Sequence, residues 1–176
     1  MNKTLLLTFF LGIITLCAYA QMPSNSGKFS IGFETGFPVA STSDTYWLAI
    51  GASMKYEKPV NPDLSVSLSV GYTDFNFTRA VKNDLRESGG NGSGENFVPI
   101  KVGFKHFFDP EDNMGFFAEM QVGGAISTQK DGGTAFIAAP GAGYEFESGF
   151  EAGLRYEGWF KDSSLNQIGV RLAYNF

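Results

Sequence analysis

The chain has 176 residues, enough for one domain, with 13 Lys and Arg against 18 Asp and Glu and a formal net charge of −5. That acidic balance excludes nucleic acid as an expected partner. The 22 glycines and 18 phenylalanines argue against a helix-dominated fold, and the single cysteine excludes an internal disulfide framework.

The first predicted element is a targeting segment. Met1-Asn2-Lys3 carries positive charge, residues 4–16 are apolar, and Ala18-Tyr19-Ala20 is a small-x-small cleavage signal. Residues 1–20 therefore read as a secretory signal peptide cut between Ala20 and Gln21. Cys17 would leave with it, so the exported chain has no thiolate for catalysis or metal binding. A polar leader, 21–27, follows, and 28–176 form the folded domain.

From there an apolar/polar alternation with period two recurs eight times, and each run predicts a strand. Phe29, Ile31, Phe33 and Phe37 alternate with Ser30, Gly32, Glu34 and Gly36, and Leu48 to Tyr56 with Ala49, Gly51, Ser53 and Lys55. In the third run Leu64, Val66, Leu68, Val70 and Tyr72 alternate with Ser65, Ser67, Ser69 and Gly71. Next, Val98, Ile100, Val102 and Phe104 oppose Pro99, Lys101, Gly103 and Lys105; Phe116, Ala118, Met120 and Val122 oppose Phe117, Glu119, Gln121 and Gly123. The sixth run sets Phe136, Ala138, Ala142, Tyr144 and Phe146 against Ala139, Gly141, Gly143 and Glu145. The seventh sets Phe150, Ala152, Leu154 and Tyr156 against Glu151, Gly153, Arg155 and Glu157. The last sets Ile168, Val170, Leu172, Tyr174 and Phe176 against Gly169, Arg171, Ala173 and Asn175.

Turn-like connections (59–63, 109–113, 147–149) alternate with longer ones (39–46, 73–96, 125–133, 160–166). This is the pattern of an up-and-down antiparallel meander, and eight strands of about 9–11 residues close into a narrow barrel. Pro140, in the middle of a run, and Pro99 lack the N–H that a closed barrel needs. A bulge or bent strand is expected at Pro140.

Which face points inward separates a soluble lipocalin-like carrier from a membrane barrel. Glycine crowds the polar face, at 32, 36, 51, 71, 103, 123, 141, 143, 153 and 169. A water-exposed outside gives glycine no advantage, whereas a cramped lumen needs small residues to admit a few long charged ones. The same face carries Glu34, Glu119, Glu145, Glu151 and Glu157 against Lys55, Lys101, Lys105, Arg155 and Arg171. These are expected to pair inside the barrel, Glu34 with Arg171 and Lys105 with Glu119, and to plug it. Aromatic residues near strand ends (Phe29, Phe37, Tyr56, Tyr72, Phe97, Phe108, Phe116, Tyr144, Tyr156, Trp159, Tyr174 and Phe176) are expected to form two interfacial girdles. The expectation is an all-β, eight-stranded antiparallel transmembrane β-barrel.

With "VPIKVGFKHFF" (98–108), "APGAGYEF" (139–146) and "GVRLAYNF" (169–176), the chain resembles the small outer-membrane β-barrel family of the OmpX and OmpA-transmembrane type. The resemblance implies a Gram-negative outer membrane, contact with its lipids and lipopolysaccharide, and a C-terminal signal, here Val170, Leu172, Tyr174 and Phe176, read by the barrel-assembly machinery. It implies a structural or interaction role (membrane integrity, adhesion or binding through surface loops) without cofactor or metal. Small porin-like channels and lipid A-modifying enzymes are the rival roles. His106, the only histidine, has no serine near it in sequence and reads as an interfacial side chain. Glu151 and Glu157 read as ion-pair members rather than a glycosidase dyad. Any extracellular ligand is expected at 83–96, a solvated Gly-rich loop holding the sequon Asn91-Gly92-Ser93, or at 125–133.

Overall fold

The computed structural model describes residues 27–89, 94–109, 114–129, 132–161 and 164–176. The signal peptide, its cleavage point, most of the leader and the sequon lie outside the described residues. Eight strands follow in chain order: β1 (Lys28–Pro38), β2 (Tyr46–Pro59), β3 (Leu64–Phe77), β4 (Glu95–Phe107), β5 (Gly115–Ser127), β6 (Thr134–Glu145), β7 (Phe150–Phe160) and β8 (Ser164–Asn175). Each pairs antiparallel with the next, and β1 pairs with β8 from Ser30↔Asn175 to Pro38↔Gln167, closing the barrel. Phe176 N–H donates to the Phe29 carbonyl at 2.7 Å, so the final residue is stitched to the first strand.

Strands run longer than the apolar combs suggest, up to 14 residues in β2 and β3. Pairing needs only backbone groups, so the β2–β3 ladder continues past the comb to Tyr46↔Phe77, with one register shift between Tyr46 and Leu48. The connection expected over 73–96 therefore shrinks. β3 continues to Phe77, a helix (α2, Arg79–Glu87) follows, and β4 resumes at Glu95. A one-turn helix (α1, Thr42–Thr45) lies in the first long connection, where the Thr42 hydroxyl accepts from Asn166 N–H at 2.8 Å. All four longer connections lie at this loop end; both described termini and the tight turns lie at the other. In the β6–β7 turn Gly149 has φ +84°, and an added Cβ would sit 2.7 Å from the Asn175 carbonyl.

The bulge expected at Pro140 is absent. The β5–β6 register runs unbroken through Met120↔Pro140, while β6–β7 omits two residue pairs between Ala138↔Gly158 and Gly141↔Arg155 without shifting. Pro99 leaves an equal gap in β3–β4, between Val70↔Ile100 and Thr73↔Phe97. A two-pair gap is what one missing N–H produces in an antiparallel ladder. Each proline thus costs one bond on one side, and the intact ladder on its other side holds the register.

The faces are inverted as expected. Phe33, Leu68, Val102, Leu154 and Leu172 point outward and are 43–59 % exposed, while Lys55, Lys105, Glu151 and Glu157 are at most 1 % exposed. No helix among the described residues is long and apolar enough to cross a membrane. The apolar belt is the barrel wall itself.

Candidate functional site

The lumen holds the molecule's concentrated chemistry, and strand phase puts it there. Inward positions alternate along every strand, so residues far apart in sequence meet across a narrow cylinder. Lys105, fully buried on β4, is the hub of the turn half. Its Nζ lies 2.7 Å from Glu145, 2.7 Å from Glu151 and 3.2 Å from Glu57. It also stands 4.2 Å from the Phe117 ring centroid and 4.8 Å from that of Phe107, close enough for cation–π attraction. Lys55 joins the same carboxylates, at 3.3 Å from Glu151 and 3.4 Å from Glu57, and adds Glu119 at 3.4 Å.

Arg171 carries the network toward the loop end. It donates to Glu151 at 2.5 Å and to Ser30 at 2.9 Å, and lies 3.5 Å from Glu34, its direct partner across the β1–β8 seam. Glu34 in turn binds Arg155, whose Nε is 2.7 Å from Glu157 but out of line for a hydrogen bond. Glu157 then collects Lys101 at 2.9 Å, Gln167 at 2.6 Å and the Trp159 indole N–H at 3.2 Å. Lys28 closes the far end on Glu145 at 3.0 Å. All these ion pairs form one continuous chain from Lys28 to Lys101.

Above it sits a lid. Tyr46, Phe75, Phe97 and Trp159 pack ring on ring, with Phe75, Phe97 and Trp159 mutually edge-on at 5.1–5.8 Å, backed by Ile137 and alanines 49, 125, 135 and 139. The expected girdle thus loses Phe97 and Trp159. Both are 1 % exposed, because their odd-numbered positions continue the inward phase of Lys101 and of Arg155. The other aromatic residues of that set face outward.

All ten charged residues expected in the lumen line it. Lys105 and Glu119 stand opposite in register, yet Lys105 reaches across to β2, β6 and β7 while Glu119 takes Lys55. In so narrow a barrel a long side chain meets the far wall as readily as its neighbour. Glu57 and Lys28 were missed although each lies two residues beyond a recognised inward position. The glycines make the room: a Cβ on Gly32 would lie 2.8 Å from the Arg171 guanidinium, and one on Gly141 would lie 2.7 Å from the Arg155 Cβ.

Within the lumen the spaces beside Arg155 shrink to two cavities of about 10 Å³, one on either side of it. Each is about the size of a single water. Among the described residues, the charge network and lid fill the lumen around Arg155 down to these two spaces. Val170, Leu172, Tyr174 and Phe176, the residues expected to carry an assembly signal, follow the outward phase, with Leu172, Tyr174 and Phe176 exposed. His106 is outward and half exposed at the turn end, its Nδ1 3.5 Å from Asp63 and its ring edge-on to Phe108.

No protein-family model and no curated protein sequence matches the chain. Solved structures do match its fold. The crystal structure of Ail, the attachment invasion locus protein of Yersinia pestis, aligns with a TM-score of 0.56 at 16 % identity, over 88 % of this chain and 100 % of that one. The N-terminal β-barrel domain of Pseudomonas aeruginosa OprF gives 0.56 at 15 %, covering 86 % and 98 %. The outer membrane enzyme PagL gives 0.58 at 14 %, covering 82 % and 98 %. At such identities the likeness is one of fold: a small, closed, eight-stranded outer-membrane-type barrel.

Proposed function

We propose that the chain is an integral outer-membrane protein of a Gram-negative bacterium that stabilises the membrane and presents its loop end for adhesion or binding, its lumen closed to diffusion. The observation that carries this reading is the inside-out burial pattern, with ions at the axis and a continuous apolar wall. In water that wall would be a large exposed patch with no partner, whereas in lipid it is the favourable surface. The Ail likeness supports an attachment role, and the filled interior supports a wall and platform rather than a pore. The test is joint. The exported protein should fractionate with outer membranes, shift mobility on boiling and give no steady conductance in planar bilayers. Recovery as a soluble protein, or a stable ohmic current, would overturn it.

The PagL likeness gives the enzymatic alternative its one handle, the His106–Asp63 pair. Nucleophilic hydrolysis needs a hydroxyl or thiol within reach of the base. The described surroundings of His106 are instead Asp63, Phe108 and its register partners Leu64 and Ala118. We read the histidine as an interfacial side chain. Lipid A from cells expressing the protein should keep its acylation pattern whether position 106 is His or Ala; a His106-dependent change would establish the enzyme.

A further inference from the structure

Helix α2 is not needed to close the barrel. No other element packs closely against it, and none of its residues is buried. Its sequence, RAVKNDLRE, is nevertheless sorted. At about 100° per residue, Arg79, Lys82 and Arg86 fall within one narrow stripe; Val81 and Leu85 lie beside it, and Asp84 and Glu87 fall on the opposite side. Val81, Lys82 and Leu85 are half-buried and the other six residues are exposed, so the apolar pair and one of the cations share the more covered side.

Its height is also fixed. One residue, Thr78, separates the helix from the end of β3, and it is tied down by its N–H to the Thr45 carbonyl (2.9 Å) and its hydroxyl to the Asp44 carbonyl (3.2 Å). Beside that anchor Trp47, 58 % exposed on the wall, stands where an indole marks a membrane boundary. Apolar and basic residues on one side, with acids on the other, are the chemistry of a helix lying in an anionic lipid surface.

We propose that α2 is a membrane-surface clamp: Val81 and Leu85 enter the boundary of the outer leaflet while Arg79, Lys82 and Arg86 bind anionic headgroups around the barrel. This rests on the outer-membrane reading above. Three such cations shift the docked-to-undocked ratio by about 100-fold on a strongly anionic surface.

The test uses the full chain with Cys17→Ser, refolded in nanodiscs of phosphatidylcholine with or without phosphatidylglycerol. Spin labels go at Leu85→Cys, Asp84→Cys and, as a wall reference, Leu68→Cys, and oxygen is compared with a water-soluble nickel relaxant. The Leu85 label should prefer oxygen and the Asp84 label nickel in anionic discs. That contrast should collapse in pure phosphatidylcholine and in the Arg79→Gln, Lys82→Gln, Arg86→Gln variant. Equal nickel access at 84 and 85 in anionic discs, with the Leu68 label immersed, overturns the clamp. So does a contrast indifferent to lipid charge, or one abolished only by a soluble polyanion. If the Leu68 label itself is water-exposed, the membrane-barrel reading falls instead.

Discussion

Lys105 shows what a buried charge does when its surroundings are complete. Three carboxylates and two ring faces converge on one ammonium, so its removal takes a cation from Glu57, Glu145 and Glu151 at once and leaves them to share Lys55, Arg171 and Lys28. Truncating one partner of a buried pair costs about 3–5 kcal/mol. Lys105→Met should fall at or above that range in urea unfolding from lipid vesicles. Lys101→Met should cost less, because it takes a cation from one carboxylate rather than three, and Glu157 keeps Arg155, Gln167 and the Trp159 N–H. Equal losses for the two lysines would mean that the hub is not a hub. This network was legible as a set of residues and in its seam pair, Glu34 with Arg171, but not in its other partners. Phase alone put Glu34 and Lys105 inside, whereas which carboxylate Lys105 reaches depends on the far wall, which no local pattern encodes.

At the scale of the strand, Pro140 and Pro99 carry the lesson. A proline in a closed barrel looks like a reason for a bulge, and instead the ladder drops two pairs on one side and keeps its register. Pro140→Ala should restore one N–H to the Tyr156 carbonyl and stabilise the barrel by about 0.5–1.5 kcal/mol, the net worth of a typical intramolecular hydrogen bond. In hydrogen exchange the new amide at 140 should be as protected as its neighbours; rapid exchange there would show that the carbonyl opposite is out of reach. The same economy explains the overlong strands. The apolar comb marks where a strand meets the surrounding medium, and pairing runs on beyond it, to Phe77 on β3 and back to Tyr46 on β2.

Taken whole, the molecule is a core turned outward, which makes the two faces respond oppositely to one kind of change. Leu172→Arg places a cation on the apolar wall, where the penalty is about 2–4 kcal/mol at a bilayer midplane, and folded yield in vesicles should fall sharply. An equal yield of folded, heat-modifiable protein would argue that this wall does not meet lipid. The lid gives the complementary prediction. Trp159→Ala opens the packing among Phe75, Phe97 and Tyr46 and should cost about 3–5 kcal/mol, as large-to-small aromatic changes in packed cores do. It should still give no steady current, because the ion chain below remains. A current from this single change would place the barrier in the lid.

Periodicity of two determined the eight strands and their faces, and the phase of glycine and charge determined which face is the inside. These are one-dimensional facts, since a strand side chain has only two directions to point. The sequence even contained the evidence against two members of its own aromatic girdle, since Phe97 and Trp159 share the inward phase of Lys101 and Arg155. Closure at β1–β8, the single chain of ion pairs, the filled lumen and the helix on the rim were decided in three dimensions. There the narrowness of the cylinder, rather than any neighbour along the chain, fixes who touches whom.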